Sequence, residues 1–364
     1  MPTIGSFKPL TNDDRTTSRV KLHESIPLTG TIISGTYNST TGVAGTNIKN
    51  YTHGMFQSVY DYPYLSSSAN HILDLTVGIA TNSGLSASLS SQRNAKNDIY
   101  NEICQVMAGY NSSGSINQLD ISGNFDATNA INKMRDVFIV NFSRLLTKDE
   151  IQKQASGFTM QLGVSASWDS PFGKILDVKD LNGSQPYFTN SPAGDFNLLY
   201  ASGSNFATMS NQIVGLVFYQ AGVAVLSSSV FTKGMGTGLP EAPSASYNST
   251  NTFATAMATT NIAANCDNLR RRIYNISFNN TTELNSSIYF CRANNSEFNY
   301  SSNPTYLSQS QLRVKSVATD NPVSFITTVG LYSQDNALLA VGKLSEPLPK
   351  TPANEYTLRV RLDY

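Results

Sequence analysis

The stretch VSFITTVGLYSQDNALLAVGKLSEPLPKTPANEYTLRVRLDY, residues 323–364, decides the fold. Within it Tyr356, Leu358, Val360, Leu362 and Tyr364 alternate with Thr357, Arg359, Arg361 and Asp363. A period of two puts the first set on one face of a strand and the second, largely charged set on the other. Such a strand needs a sheet to lie on, because chain ends stay ordered only when something ties them down. Upstream, VGLYSQDNALLAVG (329–342) sets two apolar segments around Ser333, Gln334, Asp335 and Asn336. Residues of that type tolerate tight turns, so a hairpin is predicted.

The same signals recur toward the N-terminus. Phe158, Met160, Leu162 and Val164 alternate strictly, and MRDVFIVNFSRLL (134–146) reads as a strand centred on Val137 to Phe142. DFNLLYAS (195–202) and IVGLVFYQAGVAVLSSSVF (213–231) read as a meander, the latter folding back around Gln220 to Gly222. NISFNN (275–280) and SSIYFCRAN (286–294) are further strand segments. In NAKNDIYNEICQVMAGY (94–110), Ile99, Ile103, Val106, Met107 and Tyr110 fall at spacings of three and four and predict a helix that Gly109 ends. A second helix ends near Ile273, and LTKDEIQKQ (146–154), with Asp149 and Glu150, reads as a helix start. The expected fold is α+β and β-dominant, with several antiparallel sheet or sandwich units and a few helices. The expected division is an extended N-terminal arm with first strands (1–50), a central α+β domain (51–235), a linker and helix (236–273) and a C-terminal β-domain (274–364). The linker rests on GMGTGLPEAPSASYNSTN (234–251), rich in Gly, Pro and Ser.

Charged residues make up 14% of the 364, against about 25% in ordinary soluble domains. Asn, Ser, Thr and Gly fill the gap, but net charge +0 and 10% aromatics argue against disorder. Interfaces are depleted of Lys, Glu and Asp, since stripping water from a charge is costly, so this surface suits a chain whose neighbours are proteins. An ordinary β-protein with polar loops would share that composition. Net neutrality argues against a nucleic-acid partner, and Arg270, Arg271 and Arg272 read as cations completing a helix C-terminus. Cys104, Cys266 and Cys291 lack metal or redox spacing and fit a reducing compartment. No secretion signal is expected in the N-terminal residues, so the many Asn-x-Ser/Thr triplets read as chance products of composition. The longest apolar run, 213–226, is interrupted by Tyr219 and Gln220 and is too short to span a bilayer. His23, His53 and His71 each stand alone, with no HExxH and no GxSxG, and GMGTG (234–238) lacks the features of a phosphate cradle. No catalytic, cofactor-binding or metal-ligating residues, and no enzymatic activity, are expected.

NPVSFITTVGLYSQDNALLAVGKLSEPL followed by YTLRVRLDY resembles a module of bacteriophage tail and baseplate proteins. Its elements here are Ile326 to Tyr332, Asp335 to Ala340, Lys343 to Pro347 and Tyr356 to Tyr364. Residues 53–78, 137–151 and 274–307 resemble virion structural proteins of marine phages with contractile, T-even-like tails. The resemblance implies a virion structural protein of the baseplate wedge, assembled in the host cytoplasm, whose partners are other tail proteins and copies of itself, with no cofactor, nucleic acid or membrane. A neck or tail-connector protein, a capsid-associated protein and a host-glycan-binding tail module are the alternatives. The residues expected to carry assembly are Tyr60, Tyr62, Tyr64, Phe298, Tyr300 and Tyr306, because aromatic anchors dominate interface energies. Arg359 and Arg361 mark a strand that either closes its own sheet or completes a neighbour's.

Overall fold

The computed structural model describes residues 7–35, 47–126, 130–165, 170–181, 187–202, 212–231, 253–299, 307–308, 311–312 and 323–364. Strand β1 (Arg15–Thr29) leads into helix α1 (Gly30–Ser34), then β2 (Ile48–Asn50), β3 (Gln57–Tyr60) and β4 (His71–Ile79). Helix α2 (Arg93–Met107) precedes β5 (Asp136–Phe142), α3 (Arg144–Thr147), β6 (Glu150–Ile151), β7 (Phe158–Gly163), β8 (Ile175–Lys179), β9 (Phe196–Ser202), β10 (Gln212–Phe218) and β11 (Val223–Ser227). Helices α4 (Phe253–Thr259) and α5 (Ile262–Arg272) feed the 21-residue strand β12 (Ile273–Ala293). Strands β13 (Leu307–Ser308), β14 (Gln311–Leu312), β15 (Ser324–Tyr332), β16 (Leu338–Lys350) and β17 (Tyr356–Asp363) follow. The protein is β-dominant with few helices, as its alternating patterns predict. The chain divides into two compact units, Leu22–Thr282 and Met1–Lys21 with Glu283–Tyr364.

In the larger unit the strands run β12-β7-β8-β9-β10-β11-β5-β4-β3-β2, with antiparallel pairing throughout. The central strands are apolar without interruption, Val137–Val140 on β5 and Val223–Leu226 on β11, and are buried along those runs. Continuous apolar runs mark strands covered on both faces. Strand β7 instead alternates, burying Phe158, Met160 and Leu162 completely. Helix α2 turns Ile99, Tyr100, Cys104 and Met107 to the core and lies on β4. Gly78 permits this approach, because a Cβ there would stand 3.1 Å from the Tyr100 Cα.

Two expectations change. Residues 149–150 do not start a helix: Lys148 turns the chain at φ 54°, and β6 pairs with β12, Ile151 opposite Asn280 and Glu150 opposite Thr281. The arginine run does end α5, but two of its members serve carbonyls of other segments. Arg270 donates to the carbonyls of Ile33 (3.1 Å) and Ser34 (2.9 Å) at the end of α1, and to Gln57 Oε1 (2.6 Å). Arg272 donates to the carbonyls of Gly163 (2.9 Å) and Ser165 (3.0 Å) beyond β7. A third buried cation, Lys96, donates to the carbonyls of Met257 (2.8 Å) and Thr260 (2.7 Å) where α4 ends. These side chains satisfy backbone acceptors that water would otherwise serve. The linker assigned to 234–251 lies outside the described residues.

In the smaller unit the later part of β12 pairs antiparallel with β17, from Ser286 opposite Asp363 to Ala293 opposite Tyr356, without a register shift. Strands β15 and β16 form the hairpin read from the sequence, closed by a hydrogen bond from the Ser333 amide to the Ala337 carbonyl (2.9 Å). Its ladder shifts register twice, between Ile326 and Thr328 and between Leu331 and Tyr332. Among the described residues of this unit, Ala293 and Leu331 are the only buried apolar side chains. Phe325, Tyr332, Leu338, Leu339, Val341 and Tyr364 are exposed, Leu339 by 67%.

Candidate assembly surfaces

The larger unit gathers aromatic side chains at the end of its sheet, where β2 is three residues long. Gly54, at φ +66°, turns the chain so that Tyr51 stacks on His53, with ring centroids 5.1 Å apart and planes at 13°. Phe56 lies 4.7 Å from Tyr51 and 5.0 Å from His53, and the Lys49 Nζ sits 4.8 Å over the Tyr51 ring. Beyond β3, Tyr60 meets Tyr64 at 6.2 Å and His71 edge-on at 5.5 Å. The loop that carries Tyr62 and Tyr64 is braced by Asn70, whose amide and side chain donate to the Asp61 carboxylate at 2.6 and 2.8 Å. Tyr62 is 46% exposed and Tyr60 and Tyr64 are half-buried. Tyr51, His53 and Phe56 belong to the cluster although sequence reasoning named only Tyr60, Tyr62 and Tyr64 as anchors. The pattern Tyr-x-His-Gly-x-Phe held the signal, since a glycine turn folds flanking rings together.

Beneath the rings, Asp74 Oδ1 accepts from Ser58 Oγ (2.5 Å) and pairs with His71 Nε2 (2.8 Å), and the Tyr51 hydroxyl lies 3.2 Å from Ser58 Oγ. Serine, histidine and aspartate meet here, but a nucleophile requires the serine bonded to the histidine. Ser58 is buried and bonded to the carboxylate instead. The hydrogen bond to Asp74 raises the His71 pKa above 6.5, so the folded state favours the imidazolium. That stabilisation is fully present below pH 6.5, the unfolded value, and is lost as pH rises through the higher folded value. His71→Gln is expected to cost roughly 1 kcal/mol or less at pH 5.5, a deficit that shrinks in denaturant titrations as pH rises through the folded-state value.

In the smaller unit, Arg359 and Arg361 are exposed on the charged face of β17. The Arg361 guanidinium donates to Asp363 Oδ1 (2.6 Å) and to Ser286 Oγ (3.2 Å), and Ser286 Oγ donates to the same Asp363 oxygen (2.5 Å). Phe298 is half-buried at φ 55°, and its carbonyl accepts from Ser324 Oγ (2.6 Å). Tyr300 and Tyr306 lie outside the described residues. A cleft of about 320 Å³ is lined by Phe290, Arg292, Asn294, Glu355, Tyr356 and Thr357. Its walls hold one acid and one cation and no nucleophile beside a base.

Among the described residues no group of three or more His, Cys, Asp or Glu side chains is placed to hold a metal ion, and no helix is long and apolar enough to cross a membrane. Burial pushes the Cys104 thiol up to about 11 and raises Cys266 further, and Cys266 Sγ donates to the Leu75 carbonyl at 3.2 Å. Thiols held protonated in this way are poor nucleophiles. No protein-family model, no curated protein and no solved structure matches the chain.

Proposed function

We propose that the protein is a structural component of a contractile bacteriophage tail, placed in the baseplate wedge and acting by binding other tail proteins. The observation that carries this reading is the smaller unit, where Phe325, Tyr332, Leu338, Leu339 and Val341 are exposed and only two apolar side chains are buried among the described residues. Apolar side chains exposed beside so few buried ones are what a partner's surface would cover. The aromatic cluster at Tyr51, His53 and Phe56 supplies a second anchor of the type that dominates interface energies. The resemblance of residues 323–364 to phage tail modules selects the tail among possible assemblies.

The test replaces Leu339 with Lys and Val341 with Glu in a phage that encodes the chain. Both side chains are more than half exposed, so the purified variant should keep its thermal midpoint within about 2 °C. The expected result is a folded protein missing from purified particles, with tails that fail to complete. Normal incorporation of the double variant would contradict the reading.

A further inference from the structure

We propose that β17 is a homodimerisation edge: it pairs antiparallel with the β17 of a second copy of this chain, with Leu358 on the two-fold axis. Tyr364 and Asn285 exchange both backbone hydrogen bonds, at 2.9 and 3.2 Å. In an antiparallel ladder every second residue from that pair, Leu362, Val360, Leu358 and Tyr356, bonds to β12. The amides and carbonyls of Thr357, Arg359, Arg361 and Asp363 then point away from β12, and β12 is the strand that pairs with β17 among the described residues.

Open edges invite pairing, and proteins blunt the ones they do not use with proline, bulges or short strands. Three other edges here carry such devices. Strand β2 is three residues long, β16 carries Pro347 and Pro349 in a ladder that shifts twice, and β1 carries Pro27. Strand β17 has no proline or bulge: it is eight residues long, strictly alternating and in unbroken register with β12, and the charges it carries, Arg359, Arg361 and Asp363, all lie on one face.

The side chains fit this partner in this register. With Leu358 on the axis, Glu355 of each copy opposes Arg361 of the other, Arg359 opposes Thr357, and Tyr356 opposes Val360. The charged face then gains two opposite-charge pairs and the other face gains two aromatic–β-branched pairs, both favourable across strands. An axis at Val360 would set Arg359 against Arg361, and an axis at Arg359 would set Glu355 against Asp363, both like-charge contacts. With Leu358 on the axis the strand is complementary to itself on both faces, which fits a second copy of the chain.

Sedimentation velocity of the full purified chain tests this without reference to any virion. The wild type should sediment as a dimer. Arg359→Pro removes an outward amide but no bond to β12, so it should yield a monomer with unchanged far-ultraviolet circular dichroism. Glu355→Arg and Arg361→Glu should each weaken dimerisation by roughly three- to tenfold, and the two together should restore it. Leu358→Cys in a Cys291→Ser background should form an intermolecular disulfide on oxidation. A wild type that stays monomeric at every concentration would overturn the proposal. So would a dimer that survives Arg359→Pro, while failure of the double charge exchange to restore pairing would overturn the register.

Discussion

Lys96→Met is expected to destabilise the larger unit by about 2–4 kcal/mol in urea titrations. Lys96 is fully buried on α2, and its ammonium reaches the carbonyls of Met257 and Thr260, with that of Ala258 at 3.5 Å. Methionine fills similar space but donates nothing, so buried acceptors lose their partner at about 1–3 kcal/mol each. Relief of the cost of burying a charge offsets part of this loss. Burial pulls the Lys96 pKa down from 10.5 to about 8. Between those values the unfolded chain binds more protons than the folded one, so this group's contribution to stability rises with pH across that window. The gap between wild type and Lys96→Met should therefore widen from about pH 8 to pH 10. A gap that stays flat would mean the amine titrates normally and is not held as described.

Arg272→Met should cost about 2–4 kcal/mol, while Arg271→Met, one residue away, should change stability by about 0.5 kcal/mol or less. Arg272 is 1% exposed, bonds the carbonyls of Gly163 and Ser165 and lies 5.9 Å from the Phe231 ring, whereas Arg271 is exposed. At roughly 2–4 °C per kcal/mol for a unit of this size, the Arg272 variant should melt about 5–15 °C lower. Equal effects at the two positions would show that the run acts as a surface charge patch. The contrast matters for function because a basic triplet invites a nucleic-acid reading, and two of these three cations are buried against backbone carbonyls.

These positions show what local sequence could and could not reveal. Strands β7 and β17 and helix α2 are legible because their apolar residues recur with the period of the element they form, and β5 because it is a short continuous apolar run. LTKDEIQKQ reads as a helix start by itself, because the strand formed by Glu150 and Ile151 exists only through pairing with Asn280 and Thr281, far away in the chain. NISFNN and SSIYFCRAN read as separate segments, yet residues 275–280 and 286–293 lie on one strand, β12, which runs through the polar residues between them. Lys96 and Arg272 look like surface residues in the sequence, since burial of a cation depends on which carbonyls the fold leaves open beside it. The rings at Tyr51, His53 and Phe56 lie close together in the sequence, but their stacking depends on the Gly54 turn.

The central claim is that this chain works as a fixed part of a tail, through surfaces that other subunits cover. Copy number per particle, from quantitative mass spectrometry of purified virions of a phage that encodes it, tests that claim most directly, because closed rings fix the subunit count. The account predicts about six or twelve copies in each particle, as a six-fold baseplate requires. Absence from intact particles, or hundreds of copies in each, would contradict it.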